Sequence, residues 1–443
     1  MKEKVLELIE NKKFNELHEY LESINSADFP SLFDEIDEEK VIVLYRLLSK
    51  EKAAEVFAEL DPDVQENLIN YFTEKELKNV IDELFMDDTV DLIEEMPANV
   101  VKRILRNIKP SDRKIVNELL NYPEDSAGSI MTTEFIDLKE DMTVDEAFAR
   151  IKKIGLKKET VYNCYVTTKD RKLIGIIDIK DLLTAERDEY IKDIMDTNVI
   201  TISTLQDQEE VGKMFDKYNF MAMPVVDKEE RFVGIVTIDD AIDVMQEETA
   251  EDFEIMAAIE PNDESYFKTS VWKHAKHRII WLLVLMLSAT ITGTIITNYE
   301  NAFAALPILV SFIPMLMDTG GNCGSQSSTL IIRGLAMDEI KLGDFFKAWW
   351  KEIRVAVIVG IVLSLANGIR ILIQYKDPNL ALVVGVTLIA TVMISKSLGC
   401  ILPMIAKRLK LDPAIMAAPL ITTIVDTCSV LVFFNVAIVL MGL

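Results

Sequence analysis

Residues 314–330, PMLMDTGGNCGSQSSTL, set a carboxylate, three glycines and a run of amides and hydroxyls inside an otherwise apolar stretch. With its flanks, the stretch runs from about 302 to 332, long enough to cross a bilayer at ~20 residues. Polar groups at that depth are costly unless they face protein, water or an ion. Asp318 and the cluster Asn322, Ser325, Gln326, Ser327 and Ser328 therefore mark a buried contact or a water-filled pathway. Gly320, Gly321 and Gly324 suit the close approach of a second helix equally well.

Outward from this segment, four more apolar stretches can be drawn, at 279–298, 355–374, 380–406 and 414–442. Together they predict an all-α, five-helix transmembrane domain over 271–443. Lys273, Lys276 and Arg278, then Arg333, Lys341, Lys347, Lys351 and Arg354, then Lys407, Arg408 and Lys410 fall on one side, against Arg370 and Lys376 on the other. Basic loops stay in the cytosol, so the N-terminus is expected inside and the C-terminus outside. Two more charges sit within the spans. At a rise of 1.5 Å per residue, Asp426 lies ~18 Å beyond Ala414, near the midplane, and Asp318 and Lys396 lie ~24 Å beyond Ala302 and Leu380. Asp318 and Lys396 could pair with each other. A lone carboxylate such as Asp426 suits a strongly hydrated cation, which it attracts without stripping the first-shell water that Mg²⁺ releases reluctantly; the alternative is a hydrogen bond to a packed Ser or Thr.

The preceding part of the chain differs sharply. Up to Arg278 it has 36 Lys and Arg against 64 Asp and Glu, a net charge of −28, whereas the remainder has 11 against 9, a net of +2. Such acidity repels nucleic acid and anionic lipid and draws hard divalent cations to oxygen ligands. The four cysteines, Cys164, Cys323, Cys400 and Cys428, have no paired spacing, which argues against a disulfide framework. The opening MKEKVLELIE lacks the basic and apolar parts of a signal peptide. Three histidines and no nucleophile–base pairing give no catalytic constellation, so an enzyme is not expected.

Residues 1–123 read as a solenoid-like α-helical domain with explicit start signals: Asp61-Pro62, Thr73 with Glu76, and Pro110. Apolar residues recur at helical spacing, as in Ala53, Val56, Phe57 and Leu60, or Val90, Leu92, Ile93 and Met96. From 124 to 246 the texture becomes α+β and repeats internally. SIMTTEFIDLKEDMTVDEAFARI (129–151) recurs as DIMDTNVITISTLQDQEEVGKMF (193–215), and KLIGIIDIKDLL (172–183) as RFVGIVTIDDAI (231–242). Met131 aligns with Met195 and Gly175 with Gly234. This resembles a tandem pair of CBS domains, which implies either an adenine-nucleotide site or a dimer hinge. The T-x-x-D that holds a ribose in such domains is met by Thr237 and Asp240, whereas the first copy has Asp178 and Asp181. An acidic helix, 239–270, then leads to the membrane.

The signature at 314–330, the motif PLITTIVDTCSV (419–430) and the order of domains resemble the MgtE magnesium channels over essentially the whole chain. The resemblance implies a homodimer in the cell membrane with one pore, conducting Mg²⁺ and closed by cytosolic Mg²⁺ through an acidic plug helix; ATP is the modulator expected where the CBS pair binds nucleotide and is not a hinge alone. It assigns the pore aspartate to Asp426, with Asn322, Gln326, Gly320 and Gly321 beside the pathway. Regulatory Mg²⁺ ligands fall on Asp87, Asp88 and Asp91 in MDDTVDLIEEMP (86–97), and on Asp240, Asp243, Glu248, Glu251 and Asp252 of the plug. The sequence EETAED (247–252) departs from the family's usual EATED. Lys396, which would repel Mg²⁺, is expected away from the pore. An ion-coupled carrier using Asp426, Asp318 and Lys396, or a membrane-anchored nucleotide sensor, are the competing readings.

Overall fold

The computed structural model describes residues 1–262, 266, 267, 269–299 and 307–442. The chain divides into two compact units, Met1–Met245 and Gln246–Leu443.

The first unit begins with ten short helices among the described residues, from α1 (Lys2–Glu10) to α10 (Pro110–Leu119). The expected start signals act where the sequence puts them. Thr73 and Glu76 close a reciprocal capping box, and Pro62 and Pro110 occupy first turns, where their missing N–H costs nothing. Ala53, Val56, Phe57 and Leu60, and Val90, Leu92, Ile93 and Met96, are all buried in one continuous core. Each large side chain so buried contributes about 1.5–3 kcal/mol. One helix of this set, α8 (Met86–Glu95), carries the acidic motif on its remaining face.

Two three-stranded sheets follow, β1 (Ile136–Leu138), β2 (Asn163–Thr167) and β3 (Leu173–Asp178), then β4 (Ile202–Ser203), β5 (Ala222–Val226) and β6 (Phe232–Thr237), with helices α11 (Val144–Ile154), α12 (Ile179–Thr184), α13 (Ile191–Ile194) and α14 (Gln208–Tyr218) between the strands. In both, a parallel pair is joined to an antiparallel hairpin with the same register irregularity. The repeats exchange their leading segments: Thr132 bridges to Ile235 and Asp196 to Ile176. Met131 therefore lies over Gly234 and Met195 over Gly175, where an added Cβ would come within 2.7 and 2.5 Å of the sulfurs. The paired Met and Gly of the motif are thus one contact made twice. Tyr165 and Phe232, with ring centroids 4.8 Å apart, and Phe135 fill the space between the sheets.

The second unit holds five long helices among the described residues: α16 (Val271–Asn298), α17 (Ile313–Ala336), α18 (Phe345–Tyr375), α19 (Pro378–Arg408) and α20 (Ala418–Met441). The acidic helix α15 (Ile238–Met256) leads from the first unit into it. Four of the five are long and apolar enough to span a membrane; α17 is long enough but too polar. Half of α17 is buried against its neighbours, which is how a polar span is accommodated. The expected start of that span at Ala302 lies outside the described residues. Despite its glycines α17 is continuous. At Gly320, an added Cβ would meet Thr391 and Val425 at 2.8 Å; at Gly321, Thr422 at 2.9 Å; at Gly324, Ile421 at 2.6 Å. The glycines therefore seat α17 between α19 and α20.

Candidate cation sites

In the first unit, α8 presents Asp87, Asp88 and Asp91, the junction after β6 presents Asp240, and Glu134 and Glu159 enter from the loops before β1 and β2. These carboxylates share one electrostatic neighbourhood. Glu134 accepts from the Met86 backbone N–H at 2.8 Å, which ties it to the N-terminus of α8, while the Glu159 N–H donates to the Glu134 carbonyl at 2.9 Å. Asp240 accepts from the Thr237 hydroxyl. Asp87 Oδ1 and Glu159 Oε2 are buried without a hydrogen-bond partner among the described residues.

Loss of water, then mutual repulsion, raises these acids. Asp87 is pushed up to about 7 by burial and by Asp88; Asp88 to about 6 by burial and Asp240; Asp240 to about 7 by burial and Asp87. Glu159 rises to about 9 by burial, Asp87 and Asp88. Asp91 is raised by the same causes, but its side chain opens to water along a cleft of about 230 Å³ shared with Glu59, Asp61 and Asp88, and screening limits the effect. No three carboxylates among the described residues converge closely enough to form a finished metal cage. The cluster is instead a set of anions short of positive charge, which either protons or a hard divalent cation can supply.

Of the other plug carboxylates, Asp243 lies one turn beyond Asp240, exposed, its carboxyl raised by partial burial and Asp239. Glu248, Glu251 and Asp252 follow on α15 beyond Met245, in the second unit, so of the plug carboxylates in the first unit it is Asp240 that acts on all three α8 aspartates. Glu134 and Glu159 were not legible as site residues. Their only signal was an acid in each loop, and the fold alone brings them to α8. The Thr237–Asp240 hydrogen bond has the form expected of the nucleotide motif, yet Asp240 faces other carboxylates, a poor setting for a triphosphate.

In the second unit, Asp318, Asn322 and Gln326 stand on one exposed face of α17, spaced one turn apart. Half-buried Asp426, on α20, is within electrostatic reach of Asp318. Gly320 and Gly321, expected beside the pathway, are both buried: Gly320 is on the opposite side of α17, against α19 and α20, and Gly321 is about 100° round from the stripe, against Thr422 of α20. The Asp318–Lys396 pair that their depth allows is not formed among the described residues. Lys396, 4% exposed, instead meets Glu352, 8% exposed, at 3.8 Å. Glu352 lies outside the apolar run that starts at Val355, but α18 begins ten residues earlier, at Phe345, and carries it inside.

Comparison with known proteins agrees with this layout. Residues 313–436 match the divalent cation transporter family model MgtE, residues 24–125 the MgtE intracellular N domain, and residues 127–188 and 191–247 the CBS domain. The chain is 34% identical to the magnesium transporter MgtE of Thermus thermophilus over 95% of its own length and 94% of that protein's. Identity to the Bacillus subtilis magnesium transporter MgtE is 32%, covering 98% and 96%. A solved cytosolic domain of the Mg²⁺ channel MgtE in complex with ATP superposes on 55% of this chain, over all of its own length, with a TM-score of 0.53 and 34% identity. This chain belongs to the MgtE family of magnesium transporters.

Proposed function

We propose that this protein is a Mg²⁺-selective channel or transporter of the cell membrane, gated by cytosolic Mg²⁺ through its acidic first unit. The observation that carries the reading is the exposed polar stripe Asp318, Asn322 and Gln326 beside Asp426. Such a face cannot lie against lipid, and a water-filled path between two copies of the chain satisfies it. In that homodimer Asp426 holds the hydrated ion and the amides contact its water. Residues 1–123, 124–246, 239–270 and 271–443 act as helical domain, CBS pair, plug and pore, with the first three in the cytosol and the C-terminus outside.

For regulation, Mg²⁺ bound by Asp87, Asp88, Asp91 and Asp240, with Asp243, Glu248, Glu251 and Asp252 along the plug helix, draws mutually repelling lobes together and closes the pore. ATP is the proposed modulator at the CBS pair, and at Thr237 and Asp240 it must compete with that closed arrangement. No catalysis is assigned. Mg²⁺ uptake into vesicles containing the reconstituted full-length protein tests the reading. Asp426→Ala is expected to abolish uptake while the protein still folds, and wild-type rates in that variant would refute it.

A further inference from the structure

Deep in the second unit, away from the exposed stripe, three helices meet at a charged contact that the proposed pathway does not use. The Ser327 hydroxyl of α17 donates to Glu352 Oε2 of α18 and accepts from Lys396 Nζ of α19 at 3.1 Å. Ser327 itself is fully buried, and both charges are nearly so. Apolar residues of similar volume would commonly hold such a place at no loss of stability, so packing alone does not account for the charges. The surroundings show what is missing without them. The faces of α17 turned toward α19 and α20 present Gly320, Gly321 and Gly324, and Gly399 of α19 lies directly against Gly324 and Ser327. Over the turn from Gly320 to Gly324 the smooth glycine surface permits close approach but, Cys323 apart, offers no interdigitating side chain to fix that part of the helix in rotation.

We propose that Glu352, Ser327 and Lys396 form a buried positioning device that sets the rotation of α17 and thereby aims Asp318, Asn322 and Gln326 at the pathway. At 3.6 residues per turn Ser327 sits ~140° around the helix from Asn322, so a clamp on the hydroxyl at the back fixes the stripe at the front. The Ser395 hydroxyl, donating to the Gly320 carbonyl, adds a second polar tie on the same side. Lys396 thus acts on permeation through helix placement and with its charge neutralised, which reconciles a lysine inside the bundle with a cation pathway. The inference rests on reading the stripe as pathway lining.

The test uses the full-length protein in vesicles with two readouts: the Mg²⁺ concentration giving half-maximal uptake, and the rate at which a water-soluble thiol reagent labels Asn322→Cys, counted over the native cysteines by mass spectrometry. Ser327→Ala keeps both charges and cuts only the link to α17. It is expected to change both readouts by about tenfold, the weight of one hydrogen bond to a charged group. Lys396→Met alone leaves Glu352 buried and unpaired and is expected to fold poorly, whereas Lys396→Met with Glu352→Gln is expected to fold and still show altered labelling. Parental labelling and half-saturation in Ser327→Ala or in the double variant would overturn the proposal and leave the triad as mere packing. Labelling needs no transport, so loss of the pathway reading and loss of the device are told apart.

Discussion

Asp87→Asn gives the sharpest test of the acidic cluster, because an ordinary carboxyl-to-amide change should stabilise the protein and at the same time remove its response to Mg²⁺. Asp87 is 9% exposed, one of its oxygens has no hydrogen-bond partner among the described residues, and its carboxyl is pushed up to about 7. A folded-state value raised above the unfolded one means that the folded state holds its proton more tightly. Stability from this group is then present in acid and is lost as pH rises from near 4 through about 7. From the ordinary aspartate value to about 7, the rise sets ~4 kcal/mol as an upper bound for keeping Asp87 ionised. Shared titration with Asp88 and Asp240 and the weaker hydrogen bonding of an amide reduce the expected gain to ~2 kcal/mol.

The four tryptophans all lie at or beyond Trp272, in the second unit, whereas α8 belongs to the first. Amide hydrogen exchange of the peptide 86–97, in full-length protein at pH 8 without divalent ions, reads the effect directly. The variant should exchange more slowly than wild type by a factor of about 30, the equivalent of 2 kcal/mol. In millimolar Mg²⁺ the wild type should gain protection by mass action, and the variant should gain much less. Faster exchange in the Mg²⁺-free variant, or equal protection of both proteins by Mg²⁺, would show that the cluster is not a strained cation site.

Other outcomes follow from the same geometry. Trypsin should cut the segment 247–270 faster without Mg²⁺ than with it, and potassium at equal ionic strength should not protect, since screening cannot bridge carboxylates; equal protection by both ions would rule out bridging. ATP should raise the thermal midpoint of the full-length protein, and Asp240→Ala should cancel that rise if Thr237 and Asp240 hold the ribose; an undiminished shift would move the nucleotide elsewhere. Gly399→Ala would drive a Cβ into the Gly324 carbonyl and Ser327. Its cost should be ~1–3 kcal/mol, read as an earlier thermal transition in the fluorescence of Trp349 and Trp350, and a wild-type midpoint would contradict the packing described.

Much of this protein is written in local pattern. Helix starts at Pro62, Thr73 and Pro110, the doubled α+β motif, the apolar spans and the acid-rich first part all depend on residues near one another in sequence, where backbone geometry, capping and burial act over a few positions. The family resemblance likewise rested on contiguous motifs around Asp318 and Asp426. Partner choice was not legible, because it is set by which faces meet. The sequence offered Asp318 as the partner of Lys396, and packing of α17 against α18 and α19 gave it Glu352 and Ser327 instead. Gly320 and Gly321 sit two and one residues from Asn322, yet a helix turns by ~100° per residue, so the same signature supplies one face to a neighbouring helix and another to the pathway. Glu134 and Glu159 join the α8 aspartates from loops far away in the chain. Long-range electrostatics of that kind comes into being only when the fold excludes water and brings like charges together.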